Sequence, residues 1–321
     1  MDELIEPLLA GNRRALSRAI TLIESSRPDH RARAIALLDA LPPSQALRIG
    51  LSGTPGVGKS TFIEAFGKML TGQGLKVAVL AVDPSSARSG GSILGDKTRM
   101  ETLSRDPNAF IRPSPSQAQL GGVARRTREA IRLCEAAGFD VILIETVGVG
   151  QSETLVADMT DLFILLLAPA GGDELQGVKR GIMEIADLVL VNKADGDLLP
   201  TARRTVADYA GALRLLRKRP NDPEGFPKAM GVSAYTGTGL EKAWDNMRYL
   251  ADWRREQSYF TRRRAEQARH WFESELRQGL LARLARPEVQ ARMQAVGEQV
   301  SRGESTPESA AAAMLDWLGE R

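Results

Sequence analysis

Apolar positions in this chain follow two rhythms, one confined to the middle and one to the flanks. Between Ala46 and about Asp252, short apolar runs alternate with longer amphipathic ones. The runs at 47–51, 77–82, 109–111, 141–145, 162–168, 188–191 and 229–232 predict strands. The segments at 61–70, 122–137, 174–184, 199–216 and 240–251 predict helices between most of them. Strands alternating with helices predict an α/β fold, with a mostly parallel sheet covered by helices on both faces. In such folds ligands bind beyond the carboxyl ends of the strands.

The flanks read as helical. Leu4, Ile5, Leu8 and Leu9 share one face, and Ala15, Leu16, Ala19, Ile20 and Ile23 make another stripe. A third helix after Pro28 stops at Leu41-Pro42-Pro43. Residues 1–45 are therefore expected to be a helical extension packed on the domain at 46–252. From 253 to 321 the chain turns to Arg, Gln, Glu, Ala and Leu, with Pro287 and Pro307 punctuating helices that carry Leu276, Leu280, Leu281, Met314, Leu315 and Trp317. A helical arm for self-association or partner docking is expected there. Arg254, Arg255, Arg262, Arg263 and Arg264 form a basic cluster. It reads as a solvated helix surface. Nucleic acid is not an expected partner.

Composition narrows the classes. Of 321 residues, 43% are hydrophobic and 26% charged, as in ordinary globular proteins. The net charge of +3 is small for a pI near 9.1. The single Cys134 excludes an intramolecular disulfide, and its place on an amphipathic segment marks it as a buried small apolar residue. His30 and His270 are too few for a histidine-rich metal site. The acidic start Met1-Asp2-Glu3-Leu4 lacks a signal pattern, and the longest apolar run falls far short of the ~20 residues of a bilayer span. A cytoplasmic protein with no membrane association is expected.

The chemistry centres on Gly53-Thr54-Pro55-Gly56-Val57-Gly58-Lys59-Ser60, between a predicted strand and a predicted helix. Only that setting makes the G-x-x-x-x-G-K-[ST] pattern a phosphate loop (P-loop). Its glycines let backbone N–H groups face phosphate oxygens, Lys59 adds charge for the β/γ-phosphates, and Ser60 offers a hydroxyl to Mg2+. The helix start behind the loop adds its partial positive charge. Thr61 continues the same binding stretch.

Asn192-Lys193-Ala194-Asp195 follows the run at 188–191. A carboxylate at Asp195 accepts from guanine N1–H and its 2-amino group, and adenine presents no such pair of donors. The Asn192 side chain can tie neighbouring loops, and the Lys193 stem covers the base. Ser233, Ala234 and Tyr235 follow the last predicted strand and match the loop whose N–H contacts the guanine oxygen in G proteins. Glu145-Thr146-Val147-Gly148 stands where Ras-like proteins carry D-x-x-G, so Glu145 faces Mg2+ and Gly148 the γ-phosphate. The longer Glu side chain leaves direct and water-mediated metal contact open. Val149 replaces the Gln that orients water in Ras, and Gln151 is out of register, which predicts slow hydrolysis without a partner. Asp83 and Asp96, each in a loop after the second strand, are candidates for supporting metal and water.

Taken together, G-T-P-G-V-G-K-S-T, V-D-P-S-S, G-G-S-I-L-G-D-K-T-R-M, L-G-G-V-A, E-T-V-G-V-G-Q-S-E and N-K-A-D resemble the MeaB/ArgK-type G proteins over nearly the whole chain. The resemblance implies a GTPase using GTP/GDP and Mg2+. It would chaperone an adenosylcobalamin-dependent acyl-CoA mutase, typically methylmalonyl-CoA mutase, gating cofactor loading and protecting the mutase from inactivation. It further implies a homodimer joined through the C-terminal helices. Lys59, Asp83, Asp96 and Glu145 would be the catalytic set, with Ser60, Asp83, Asp96 and Glu145 at the metal. A third mobile loop would contain Gly171, Gly172, Asp173, Glu174 and Lys179. The stretch Ser114-Pro115-Ser116-Gln117 departs from the R-G-x-L-G-G approach of relatives and receives no role. The alternatives are a nickel- or metal-insertion GTPase, disfavoured by one Cys and two distant His, and a kinase or transport NTPase, disfavoured by N-K-A-D.

Overall fold

The computed structural model describes residues 2–25, 27–82, 100–112, 120–146, 152–169, 180–216, 219 and 222–319. Asp83, Asp96, Gly148, Val149, Gln151, Gly171, Gly172, Asp173, Glu174 and Lys179 lie outside them. The chain divides into two compact units, Met1–Gln267 and Ala268–Arg321.

The first unit opens with three helices, α1 (Asp2–Leu9), α2 (Arg13–Glu24) and α3 (Pro28–Asp39). Asn12 starts α2 by accepting from the N–H groups of Arg14 and Ala15, and Pro28 starts α3 with its preset φ. Then follow β1 (Leu47–Ser52), α4 (Lys59–Gly72), β2 (Val77–Val82), α5 (Glu101–Ser104), β3 (Ala109–Arg112), α6 (Leu120–Ala136) and β4 (Val141–Thr146). The second half runs through α7 (Ser152–Ala157), β5 (Leu162–Leu167), α8 (Arg180–Ile185), β6 (Leu188–Val191), α9 (Leu199–Leu215), β7 (Lys228–Gly231) and α10 (Leu240–Glu256). Helix α11 (Tyr259–Leu284) crosses into the second unit, which adds α12 (Pro287–Ser301) and α13 (Pro307–Gly319).

The seven strands form one sheet in the order β3-β2-β4-β1-β5-β6-β7, and every recorded pairing is parallel. β1, β4, β5 and β6 are buried along their whole length, which is why they are mainly apolar; the exception in β1, Arg48, is enclosed with Glu135. The N-terminal helices lie on α6, where Arg31 pairs with Glu129 at 2.5 Å. Cys134 is fully buried, and burial pushes its thiol far above the ordinary range, consistent with a packing role.

Three arginines of the cluster depart from the expected solvated face, while Arg255 and Arg262 are exposed. Arg254 is buried between Asp187 and Asp222. Arg264 binds Asp161 at 2.7 Å, and Arg263 donates to the carbonyls of Ala157 and Thr160. These guanidiniums fasten α10 and the start of α11 to the strand-entry end of the sheet, away from the loops at the carboxyl ends. In the second unit Val289 and Ala310 are buried, while Phe272, Leu276, Leu280, Leu281 and Leu315 are exposed. Among the described residues, no helix is long and apolar enough to cross a membrane.

Candidate functional site

β1 is flanked by β4 and β5, so the loop leaving it opens at the centre of the sheet. The chain must pass very close to β5 on leaving Ser52. A Cβ on Gly53 would stand 2.3 Å from the Leu166 carbonyl oxygen, which only glycine avoids. Gly58 precedes α4 with φ 86°, and no side chain caps the helix start. Uncapped N–H groups at a helix start, with Lys59 in its first turn, suit phosphate oxygens. The Lys59 Nζ lies 2.7 Å from the Gly53 carbonyl and 3.3 Å from that of Thr54, at the loop itself. Thr54, Pro55 and Gly56 form an exposed rim, Val57 is buried beneath it, Ser60 is half-buried and Thr61 exposed. The helix is fixed from below by Phe62 stacked on Phe66 and by Phe66 against the edge of Trp244.

The second cluster gathers around Asn192, buried at the end of β6. Its Nδ2 donates to the Val57 carbonyl at 2.9 Å, and its Oδ1 accepts from Ala234 N–H at 3.1 Å. Lys193 adopts φ 57° and reaches across to donate to the Gly56 carbonyl at 2.9 Å. Half-buried Asp195 accepts from the Ser233 hydroxyl, whose oxygen also receives the Thr236 N–H. The expected phosphate loop, N-K-A-D segment and Ser233-Ala234 loop are thus brought into one hydrogen-bonded assembly. Tyr235 is on its outside, 90% exposed.

Glu145 is buried near the end of β4, in register with Leu51 of β1 and Ala81 of β2. It therefore stands on the same sheet edge as the phosphate loop. The hydroxyl of Ser60 and the carboxylate of Glu145 are hard oxygen donors of the kind Mg2+ prefers, so the described residues fit that ion. Two positioning residues escaped the sequence reading. Thr146 donates to the Ser52 hydroxyl at 3.1 Å, both fully enclosed, pinning the ends of β4 and β1 where their loops depart. A hydroxyl residue closing each of two mainly apolar strands is the signal that could have found them.

Against this geometry, the model of a family described as methylmalonyl Co-A mutase-associated GTPase MeaB matches residues 16–288. A Mus musculus protein named methylmalonic aciduria type A homolog, mitochondrial, is 49% identical over 328 residues, covering 98% of this chain and 79% of that protein. The Escherichia coli protein named GTPase ArgK is 52% identical over 246 residues, covering 76% of this chain and 74% of its own. The crystal structure of a LAO/AO transport system kinase is similar with a TM-score of 0.75 and 36% identity, covering 99% of this chain and 97% of that one. Matched along most of its length, this chain belongs to the MeaB family of P-loop GTPases.

Proposed function

We propose that this GTPase is a switch that assists an adenosylcobalamin-dependent acyl-CoA mutase, with methylmalonyl-CoA mutase as the first candidate. It gates cofactor loading and protects the mutase from inactivation. The mutase half of this reading is supported by the description of the matched family. The nucleotide half rests on the two-sided grip of Asn192 on Val57 and Ala234, which holds Asp195 and the phosphate loop in one frame.

In this reading the loop from Gly53 to Thr61 holds the phosphates and Lys59 neutralises charge on the β/γ-phosphates. Asp195 takes the guanine N1–H and 2-amino hydrogens, Lys193 covers the base, and Ser233, Ala234 and Tyr235 border it. Ser60 and Glu145, with Asp83 and Asp96, would hold Mg2+, which when bound neutralises phosphate charge. Water adds to the γ-phosphorus as the bond to the bridging oxygen breaks, giving GDP and phosphate. Gly148 contacts the γ-phosphate, and Gly171, Gly172, Asp173, Glu174 and Lys179 belong to a loop that answers nucleotide state. With Val149 in place of a water-orienting Gln, turnover by the chain alone is slow. The exposed Phe272, Leu276 and Leu280, spaced along one stripe of α11, support a homodimer through the C-terminal helices.

The deciding experiment measures GTP hydrolysis with and without methylmalonyl-CoA mutase, alongside co-purification of the two. Stimulated turnover and a recovered complex are expected. No stimulation and no complex leave the GTPase without this role. Competition by ATP equal to that by GDP would overturn the guanine assignment.

A further inference from the structure

We propose that the cleft between α9, β7 and α10 is a second ligand site, for a small molecule that carries a phosphate or carboxylate on an apolar body. The cleft has a volume of about 610 Å3, within the range of small-molecule sites. Three cations line it from three separate elements: Arg214 in the last turn of α9, Lys228 opening β7 and Lys242 in the first turn of α10. No carboxylate is among its described lining residues. Neither Arg214 nor Lys242 forms an ion pair with a described residue. The whole chain has a formal net charge of only +3, so general basicity does not account for such a concentration.

Solvated surface lysines are ordinarily unheld, and Lys228 is not. Its ammonium donates to Asn246 Oδ1 at 2.8 Å and lies 4.3 Å from the centre of the Phe226 ring. Asn246 is itself fixed by donating to the Lys242 carbonyl at 2.7 Å. Phe226 in turn stacks on Tyr249, with ring centres 6.1 Å apart. Leu213, Phe226 and Met230 supply the apolar wall. Gathering like charges around one hollow is unfavourable, and Lys242 also stands at the positive end of its helix; an anion relieves both. A prepositioned cation, two flanking cations and an apolar wall together fit an amphiphilic anion, and none of these residues belongs to the nucleotide assembly.

The test is calorimetric titration of phenyl phosphate into the full chain saturated with GDP, which keeps the phosphate loop filled. Saturable binding is expected, weakened at least about tenfold in Arg214→Gln/Lys242→Gln, with circular dichroism and GDP affinity unchanged. Inorganic phosphate and benzyl alcohol should each bind far more weakly than phenyl phosphate. 3-Phenylpropionate in the same titration identifies whether carboxylate or phosphate is the preferred head group. Arg214→Gln alone, at an exposed position, keeps the experiment decisive if the double variant folds poorly. Binding unchanged by the substitutions, or no saturable binding of either aromatic anion, overturns the proposal.

Discussion

Asn192 and Val57 stand 135 positions apart and are joined by a hydrogen bond of 2.9 Å from side-chain amide to loop carbonyl. Because the same amide accepts from Ala234, one buried side chain sets the spacing of the phosphate loop and the loop at Ser233-Ala234. Asn192→Ala removes both bonds and strands two backbone groups. The expected loss is about 2–4 kcal/mol of stability, with at least about tenfold weaker GDP binding. Urea unfolding and fluorescent-nucleotide titration measure the two. Parent-like affinity would show that the loops keep their spacing unaided.

Two glycines of the phosphate loop should fail differently. In Gly53→Ala the new methyl meets backbone, the Leu166 carbonyl, which cannot step aside; a largely unfolded protein is expected. In Gly58→Ala it meets the Asn192 Nδ2 at 2.9 Å, a side-chain atom that can shift only by loosening its hold on Val57. That variant also strains φ by about 1–2 kcal/mol, so it should fold with a lowered melting temperature and poor nucleotide affinity. Adding Asn192→Ala makes room for the methyl, and the double-mutant cycle should show coupling. Strict additivity would mean that the contact is not what damages Gly58→Ala.

The sheet was legible because most of its strands are buried on both faces and so appear as plain apolar runs. β2 and β6 match the expected bounds, and β1, β4 and β5 differ by a single residue at one end. β7 starts one residue earlier than expected, at Lys228, whose charge masks the strand start while its ammonium rests over Phe226. The motif loops were legible because their spacing is local. The roles of Arg254 and Arg264 were not, because Asp187 and Asp161 lie 67 and 103 positions away and no local periodicity reports a long-range ion pair. The same distance hid the Ser52–Thr146 hydroxyl pair, which spans 94 positions.

Asp106 gives a pH-dependent prediction. Its carboxylate accepts from Lys68 at 2.7 Å, Thr71 at 2.8 Å and the Asn108 N–H at 2.9 Å, joining α4 to the turn before β3. The Lys68 bond leads in lowering its pKa from 3.8 to about 2, against a smaller opposing effect of burial. A depressed carboxylate stabilises the fold above its unfolded pKa, and that contribution disappears as pH falls through the interval from about 4 to about 2. Asp106→Asn should lose about 1 kcal/mol at pH 7 after allowance for solvent screening, a deficit that narrows below pH 4. Urea titrations across that range test it, and a deficit independent of pH would assign the effect to packing.

Arg254 provides the largest expected effect away from the nucleotide. It donates to Asp187 at 2.6 Å, to Asp222 at 2.9 Å and to the Asp161 carbonyl at 2.9 Å. Burial pushes the Asp187 pKa up, but Arg254, Arg219 and the Phe163 N–H together hold it below the usual carboxylate range. Arg254→Met leaves two carboxylates enclosed with their main cation gone, and the expected destabilisation is about 3–5 kcal/mol. The deficit has the same sign with pH as at Asp106, shrinking as pH falls, but it does so over a higher window. Loss of the cation raises the folded-state pKa of Asp187, where burial is then opposed by less, so protonation relieves the variant and its deficit should shrink between pH 7.5 and pH 5. Adding Asp187→Asn should restore part of the loss, since the amide oxygen can still accept from Phe163 N–H. Urea unfolding of the single and double variants at both pH values decides the matter. A deficit under about 1 kcal/mol would place this network with solvent-screened surface pairs and remove it as the fastening of α10 to the sheet.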